Sequence, residues 1–191
     1  MNAHTRARVT LIEKATGRTV AGEMRSARVE DIKLWLRWLP GMSLEAEDAH
    51  WEWDEFIALA LDYPSQIVAY VLIAEKALQG LLLLELEFED GEGHACIHGL
   101  RISTAPWNRP PNNRYRFVGS LLVAQAVELS IGMGCEGRLW LESLPGAEEF
   151  YRGLGMIGLR EKSVEEGLTP FKFDSATARV FLEQMSERRG R

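Results

Sequence analysis

The sequence has only two cysteines in 191 residues, Cys96 and Cys135, each within or beside an apolar segment. That is too few for a disulfide framework, and both read as reduced, buried thiols. Long apolar runs are missing as well. The longest, over 67–74 and 80–84, are strand-sized and far short of the roughly 20 residues a bilayer crossing needs. The opening residues carry no apolar core of a signal peptide. There is no surplus of positive charge either: 22 Lys and Arg against 28 Asp and Glu leave a net charge of −6. A nucleic-acid partner would ordinarily require a basic face, so none is expected. Internal repeats and low-complexity segments are absent. These absences predict a soluble cytoplasmic protein with neither a membrane nor a nucleic-acid partner, and an acidic balance compatible with a cationic substrate.

What is present is ordinary globular composition, with 46% hydrophobic and 26% charged residues. The length fits one domain over 1–191, with 186–191, including the basic Arg188-Arg189-Gly190-Arg191, expected to fray. Val9 to Glu13 and Thr19 to Met24 read as paired strands around a turn at Gly17. Val29, Ile32, Leu36 and Leu39 fall at helical spacing, so a helix is expected over 27–39, ended by Pro40-Gly41. A second helix is expected over 44–61. Residues 67–74, 78–88 and 94–103 read as three successive strands. The proline-rich stretch 105–113 excludes regular structure, because proline lacks a backbone donor and restricts its neighbours. A helix follows over 118–131, with Val118, Leu122, Ala126, Leu129 and Met133 on one stripe and Gly132 and Gly134 ending it. Strands over 138–143, 156–162 and 169–173, a short helix over 147–154 capped by Gly155, and a final helix over 176–185 complete a mixed α/β pattern.

The passage from loop to helix at Arg114-Tyr115-Arg116-Phe117-Val118-Gly119-Ser120 is the first place where chemistry concentrates. Unpaired N–H groups of a first helical turn, together with the helix dipole, suit a phosphate. Gly119 removes a side chain where a ligand must come close, and Arg114 and Arg116 add positive charge. His94, Cys96 and His98 offer a rival reading. At i, i+2 and i+4 of a strand they share a face and could ligate zinc. Their spacing of about 6.6 Å, from a ~3.3 Å rise per residue, strains shared coordination, and no fourth ligand is near. No metal is therefore expected.

These segments together resemble the GNAT superfamily of N-acetyltransferases. Arg114 to Gly119 matches the first and last positions of its Arg/Gln-x-x-Gly-x-Gly/Ala loop. Ala147-Glu148-Glu149-Phe150-Tyr151-Arg152-Gly153-Leu154-Gly155-Met156 resembles its Ala-x-x-Phe-Tyr-x-x-x-Gly-Phe signature. Phe117 stands where the family has its first glycine; a helical first turn accepts any residue at negative φ, so the N–H nest can survive there. The resemblance implies a central, mostly antiparallel twisted sheet of six to seven strands flanked by helices. It also implies acetyl-CoA as cosubstrate and transfer of its acetyl group to the primary amine of a small molecule.

In that reading Arg114, Tyr115, Arg116, Phe117, Val118, Gly119 and Ser120 hold the pyrophosphate, and the backbone of Leu100, Arg101 and Ile102 meets the thioester on a strand splayed from its neighbour. Tyr151 takes the place of the acid that protonates the leaving thiolate. His98, on the strand that passes the thioester, is the first candidate for the base that receives the amine proton, because histidine titrates near neutral pH. Glu142 is the second. Two other outcomes stay open: a non-catalytic acyl-CoA-binding module, and an acetyltransferase acting on a protein amine. Pairing of edge strands makes a homodimer possible. In the superfamily the segment holding Trp35, Trp38, Trp51, Trp53 and Phe56 covers the acceptor cleft. With the neighbouring acids it reads either as a cation-attracting aromatic surface or as helices with aromatics inward and acids in water.

Overall fold

The computed structural model describes residues 6–159 and 167–189. Among the described residues, nine strands follow the order β6-β1-β2-β3-β4-β5-β7-β9-β8, more than the six to seven expected. The strand without an expected counterpart is β6 (Tyr115–Arg116), whereas β8 (Ile157–Gly158) falls within the strand expected over 156–162; both are edge strands of two residues. Two residues are too few to show an alternation, so only their partners define them. The architecture is α/β with mostly antiparallel pairing, and among the described residues no helix is long and apolar enough to cross a membrane.

The chain divides into two compact units, and β4 (Ala77–Glu89), β5 (Ala95–Thr104) and α3 (Val118–Gly132) each contribute to both. One unit comprises Asn2–Leu83 and Arg101–Leu122. Here β1 (Arg6–Glu13) pairs antiparallel with β2 (Thr19–Ser26), and β2 with β3 (Ile67–Ala74). Glu75 and Lys76 turn the chain from β3 into β4 with φ of 50° and 60°, the left-handed pair whose twist matches a hairpin. Gly80 lets the start of α3 approach β4: a Cβ there would lie 2.8 Å from Leu122 Cδ1.

The helix expected over 27–39 is broken. A 3-10 turn over Val29–Asp31 leads into the single turn α1 (Ile32–Trp35), and another 3-10 turn covers Leu39–Gly41. Asp31, almost wholly buried, receives both Arg25 guanidinium nitrogens at 2.7 and 2.8 Å and the Arg28 N–H at 2.8 Å. The second helix is also shorter than expected: α2 is Trp53–Asp62. Helix-favouring residues 44–52 stay in turns because Asp48 is held by the bidentate Arg109 guanidinium, at 2.7 Å to each oxygen, and by the Ser103 hydroxyl at 2.8 Å. A tertiary ion pair outweighs local propensity of a few tenths of a kcal/mol per residue.

The other unit comprises Leu84–Leu100 and Val123–Arg191. In it β7 (Leu139–Ser143) pairs parallel with β5 and antiparallel with β9 (Thr169–Phe173), which carries β8. Helix α4 is Glu148–Gly153, and α5 runs Ser175–Arg189, past the expected end at Met185. Gly190, Arg191 and the end of the strand expected over 156–162 lie outside the described residues. Helix α3 is not the one-sided stripe expected. Leu121 to Val127 are all buried, whereas Met133 is exposed. A helix apolar all round is a core helix. Both thiols are buried as expected, and burial pushes the Cys96 thiol up to about 11.

Candidate active site

The loop before α3 is built by neighbours that the sequence pattern does not single out. Glu75, at the β3–β4 turn, accepts from the Tyr115 hydroxyl at 2.6 Å, Arg114 Nη2 at 2.8 Å and Arg18 Nη2 at 2.8 Å. The Tyr115 hydrogen bond foremost, with Arg18, holds the Glu75 carboxyl below its usual range. Burial first, then the carboxylate, lifts the Tyr115 phenol to about 12. Asn108 Oδ1 accepts the Tyr115 N–H at 3.2 Å, and its amide reaches the Gln79 side chain at 3.0 Å. Arg114, expected to face phosphate, is thus engaged with Glu75, its guanidinium 5.0 Å from the Tyr115 ring centre. Arg116 is exposed and makes no ion pair among the described residues.

Phe117 departs from its expected conformation. Its φ is +70°, not negative, while its carbonyl accepts the Leu121 N–H at 2.9 Å. The left-handed backbone that favours glycine is kept here with a phenylalanine in it, a strain of about 1–3 kcal/mol. Beyond it the first-turn N–H groups of Val118, Gly119 and Ser120 have no acceptor within the helix. A first turn free of intrahelical acceptors, Gly119 without a side chain and the exposed Arg116 fit an anionic group.

In the other unit, a β ladder stops early. β5 and β7 pair over Ile97↔Leu139, His98↔Trp140 and Gly99↔Leu141, yet β5 runs on to Thr104 and β7 to Ser143. Meanwhile β7 stays with β9 as far as Ser143↔Thr169. Leu100 and Glu142, the next residues along, are no longer paired with each other. Leu100, Arg101 and Ile102, expected on a splayed strand, lie beyond this last rung and are half-buried.

Tyr151 lies in α4, buried, with its ring 5.7 Å from Phe171 and 5.1 Å from Phe150. Glu148, one turn earlier, accepts from Thr169 Oγ1 at 2.5 Å and fixes the helix on β9. Gly155, at φ +86°, donates to the Arg152 carbonyl, and Met156 donates to Tyr151, ending the helix as expected. The Tyr151 hydroxyl has no hydrogen-bond partner among the described residues, and burial alone raises its pKa well above the usual phenol value.

His98 is clamped on the opposite side of these strands. Side chains alternate, so Leu141 and its partner Phe171, against which Tyr151 packs, face away from Trp140, which touches His98. The His98 ring lies 4.5 Å from Phe88 and 4.9 Å from Trp140, and its Nδ1 is 3.0 Å from Glu85 Oε2. Glu142, two residues beyond Trp140, shares that face. The expected acid and the two candidate bases are therefore split between the two faces beside the same last rung. The rival zinc trio is not brought together. Cys96 is buried, His98 is taken by Glu85, and His94 Nδ1 lies 3.5 Å from Asp90 and 3.6 Å from Glu92.

The N-terminal aromatics resolve mostly as inward packing. Trp38 donates to the Leu78 carbonyl at 3.1 Å and Trp53 to Ser103 Oγ at 3.2 Å, both buried. The half-buried Trp51 and Phe56 already face a cation of the chain's own. The Arg101 guanidinium sits 5.1 and 5.8 Å from their ring centres. Sequence reasoning missed Glu75, Glu85, Phe88 and Trp140, whose roles depend on partners 13 to 57 residues away or on neighbouring strands.

No protein-family model and no curated relative matches the sequence. Solved structures do match. The GNAT domain of S. lividans PAT has a TM-score of 0.57 and 16% identity, over 88% of this chain and 96% of that one. AtaTR bound with acetyl-CoA has a TM-score of 0.58 and 17% identity, over 84% and 98%. The PaiA N-acetyltransferase from Thermoplasma acidophilum in complex with coenzyme A has a TM-score of 0.51 and 16% identity, over 79% and 97%. At such identities the likeness is one of fold. Its nine-strand order, the ladder ending at Gly99 and Leu141, and these neighbours together give the chain the fold of the GNAT acetyltransferases.

Proposed function

We propose that this protein transfers the acetyl group of acetyl-CoA to the primary amine of a small molecule. The observation that carries the reading is the early end of the β5–β7 ladder, with Tyr151 on one face and His98 on the other, in a fold whose neighbours include structures bound to CoA and acetyl-CoA. Beyond Gly99 and Leu141 the two strands no longer pair with each other, and an extended ligand can enter between them as another strand would. Val118, Gly119 and Ser120 N–H groups receive the pyrophosphate at the positive end of α3, with Arg116 beside them.

Bound acetyl-CoA supplies a thioester carbonyl at which the amine forms a C–N bond as the C–S bond breaks. Backbone N–H groups of Leu100 to Ile102 face the charge that develops on oxygen. His98 takes the proton that the amine nitrogen sheds on attack. Tyr151, kept neutral by burial, gives its hydroxyl proton to the leaving sulfur, whose parent thiol has a pKa of about 8.5. Solvent then carries one proton from His98 back to Tyr151, and the chain is unchanged.

Calorimetric titration with acetyl-CoA tests the reading, beside Gly119→Glu and followed by a panel of small amines with Tyr151→Phe. Micromolar binding lost in Gly119→Glu, and turnover reduced about a hundredfold in Tyr151→Phe, are expected. No binding at millimolar acetyl-CoA overturns the proposal. Binding without turnover on any amine indicates a non-catalytic acyl-CoA-binding module.

A further inference from the structure

His98 is held more tightly than packing alone requires. Its side chain is 16% exposed, and two rings contact it, Phe88 at 4.5 Å and Trp140 at 4.9 Å. The two rings also contact each other at 5.3 Å. The imidazole cannot swing out without parting them. Its Nδ1 meets Glu85 Oε2 at 3.0 Å, while Nε2 has no hydrogen-bond partner among the described residues.

An ionised carboxylate can only accept a hydrogen bond. Nδ1 must therefore carry the hydrogen, which places the lone pair of a neutral ring on Nε2, the nitrogen without a protein partner. Among the described residues, Glu85 is the one charged group recorded against the ring. From β7 it faces the neutral Trp140, whose partner on β9, Lys172, is drawn off to Glu92 at 2.6 Å. Glu142 lies further along β7. On β5 itself, Cys96 keeps its proton to about pH 11.

We propose that Glu85 is a positioning residue of the acetyl-transfer reaction, fixing His98 in the Nδ1-protonated tautomer so that Nε2 receives the amine proton. This rests on the acetyltransferase reading above. Glu85 never touches the substrate; it acts through His98, and its charge stabilises the imidazolium formed when the proton arrives.

Two measurements on the full chain separate this proposal from that reading. The first is the ¹⁵N NMR tautomer state of the His98 ring in the wild type, Glu85→Gln and Glu85→Asp, which needs no turnover. A neutral ring protonated on Nδ1 in the wild type, with tautomers mixed in Glu85→Gln, is expected. A wild-type ring protonated on Nε2 overturns the proposal. The second is steady-state kinetics with a small amine. In Glu85→Gln kcat is expected to fall about tenfold while KM for the amine stays within about twofold. Glu85→Asp restores part of kcat. A kcat and KM that change together, with a lowered denaturant midpoint, mean that Glu85 only supports the fold, and overturn the positioning role. Absence of wild-type turnover on every amine overturns the transferase reading and the base role together, while the tautomer measurement still reports whether Glu85 sets the ring.

Discussion

Two aromatic clusters in this chain look alike by composition and differ in what they hold. In the segment before β3, Trp51 and Phe56 flank the guanidinium of Arg101, while Asp48 is locked to Arg109 and Ser103. In the strands β4, β5 and β7, Phe88 and Trp140 flank His98, whose Nδ1 is tied to Glu85 and whose Nε2 is left without a protein partner. The first cluster stacks its own cation on two rings and pairs its own carboxylate. The second holds a titratable ring with one end committed and the other available. Aromatic residues beside carboxylates are thus poor guides to an amine site until it is known which charges the fold has already paired.

The largest expected difference between the clusters is in stability. Asp48→Ala leaves Arg109 without its bidentate partner and Ser103 without an acceptor, and is expected to destabilise the protein by about 3 kcal/mol. Denaturant midpoints check it, and a loss under about 1 kcal/mol would mean that the turns over 44–52 are held by something else. A smaller effect separates the rings. Trp51→Leu is expected to cost about 1 kcal/mol of stability from lost cation–π contact and to leave kcat/KM with a small amine unchanged. Trp140→Leu costs a similar amount but lowers kcat/KM several-fold, because the His98 ring loses one wall. Equal kinetic effects from both substitutions would erase the distinction.

A further effect lies in the alkaline range, on the strand that carries His98. Cys96 has its pKa raised from 9.0 to about 11 by burial. The folded state therefore keeps a proton that the unfolded state loses, and this contribution is complete below pH 9.0 and is lost as pH rises through about 11. Unfolding free energy is expected to fall across that window, with Cys96 contributing less than about 1.4 kcal/mol per pH unit, and Cys96→Ala is expected to flatten the slope. An unchanged slope would assign the whole effect to the buried tyrosines.

Much of the fold is legible along the chain. The alternating run at 9–13, the stretches at 19–24 and 169–173 and the apolar run at 67–74 became strands, the loop at 105–113 stayed irregular, and Gly155 caps α4, because these depend on hydrophobic pattern, proline and left-handed glycine within a few residues. The N-terminal helices break where side-chain ion pairs intervene, Arg25 at Asp31 and, from 61 residues away, Arg109 at Asp48. Of the candidate site, Tyr151, His98, Glu142 and the residues of the α3 loop were identifiable as residue types at a matching spacing. Their environments were not, since Arg114 is claimed by Glu75 from 39 residues away and Phe117 takes a positive φ that its side chain disfavours.

The sequence by itself determined the order of strands and helices, the buried thiols, the acidic balance and the stretch from which α3 departs, all of them consequences of local pattern and composition. Only the tertiary structure decided which polar groups meet. Strand register put His98 beside Trp140 and ended the ladder at Gly99, and the β4–β5 pairing put a carboxylate on Nδ1. A charge or a ring is chemically the same whether satisfied or free. What separates the two is a partner within about 3 Å, brought there by packing between segments far apart in the chain.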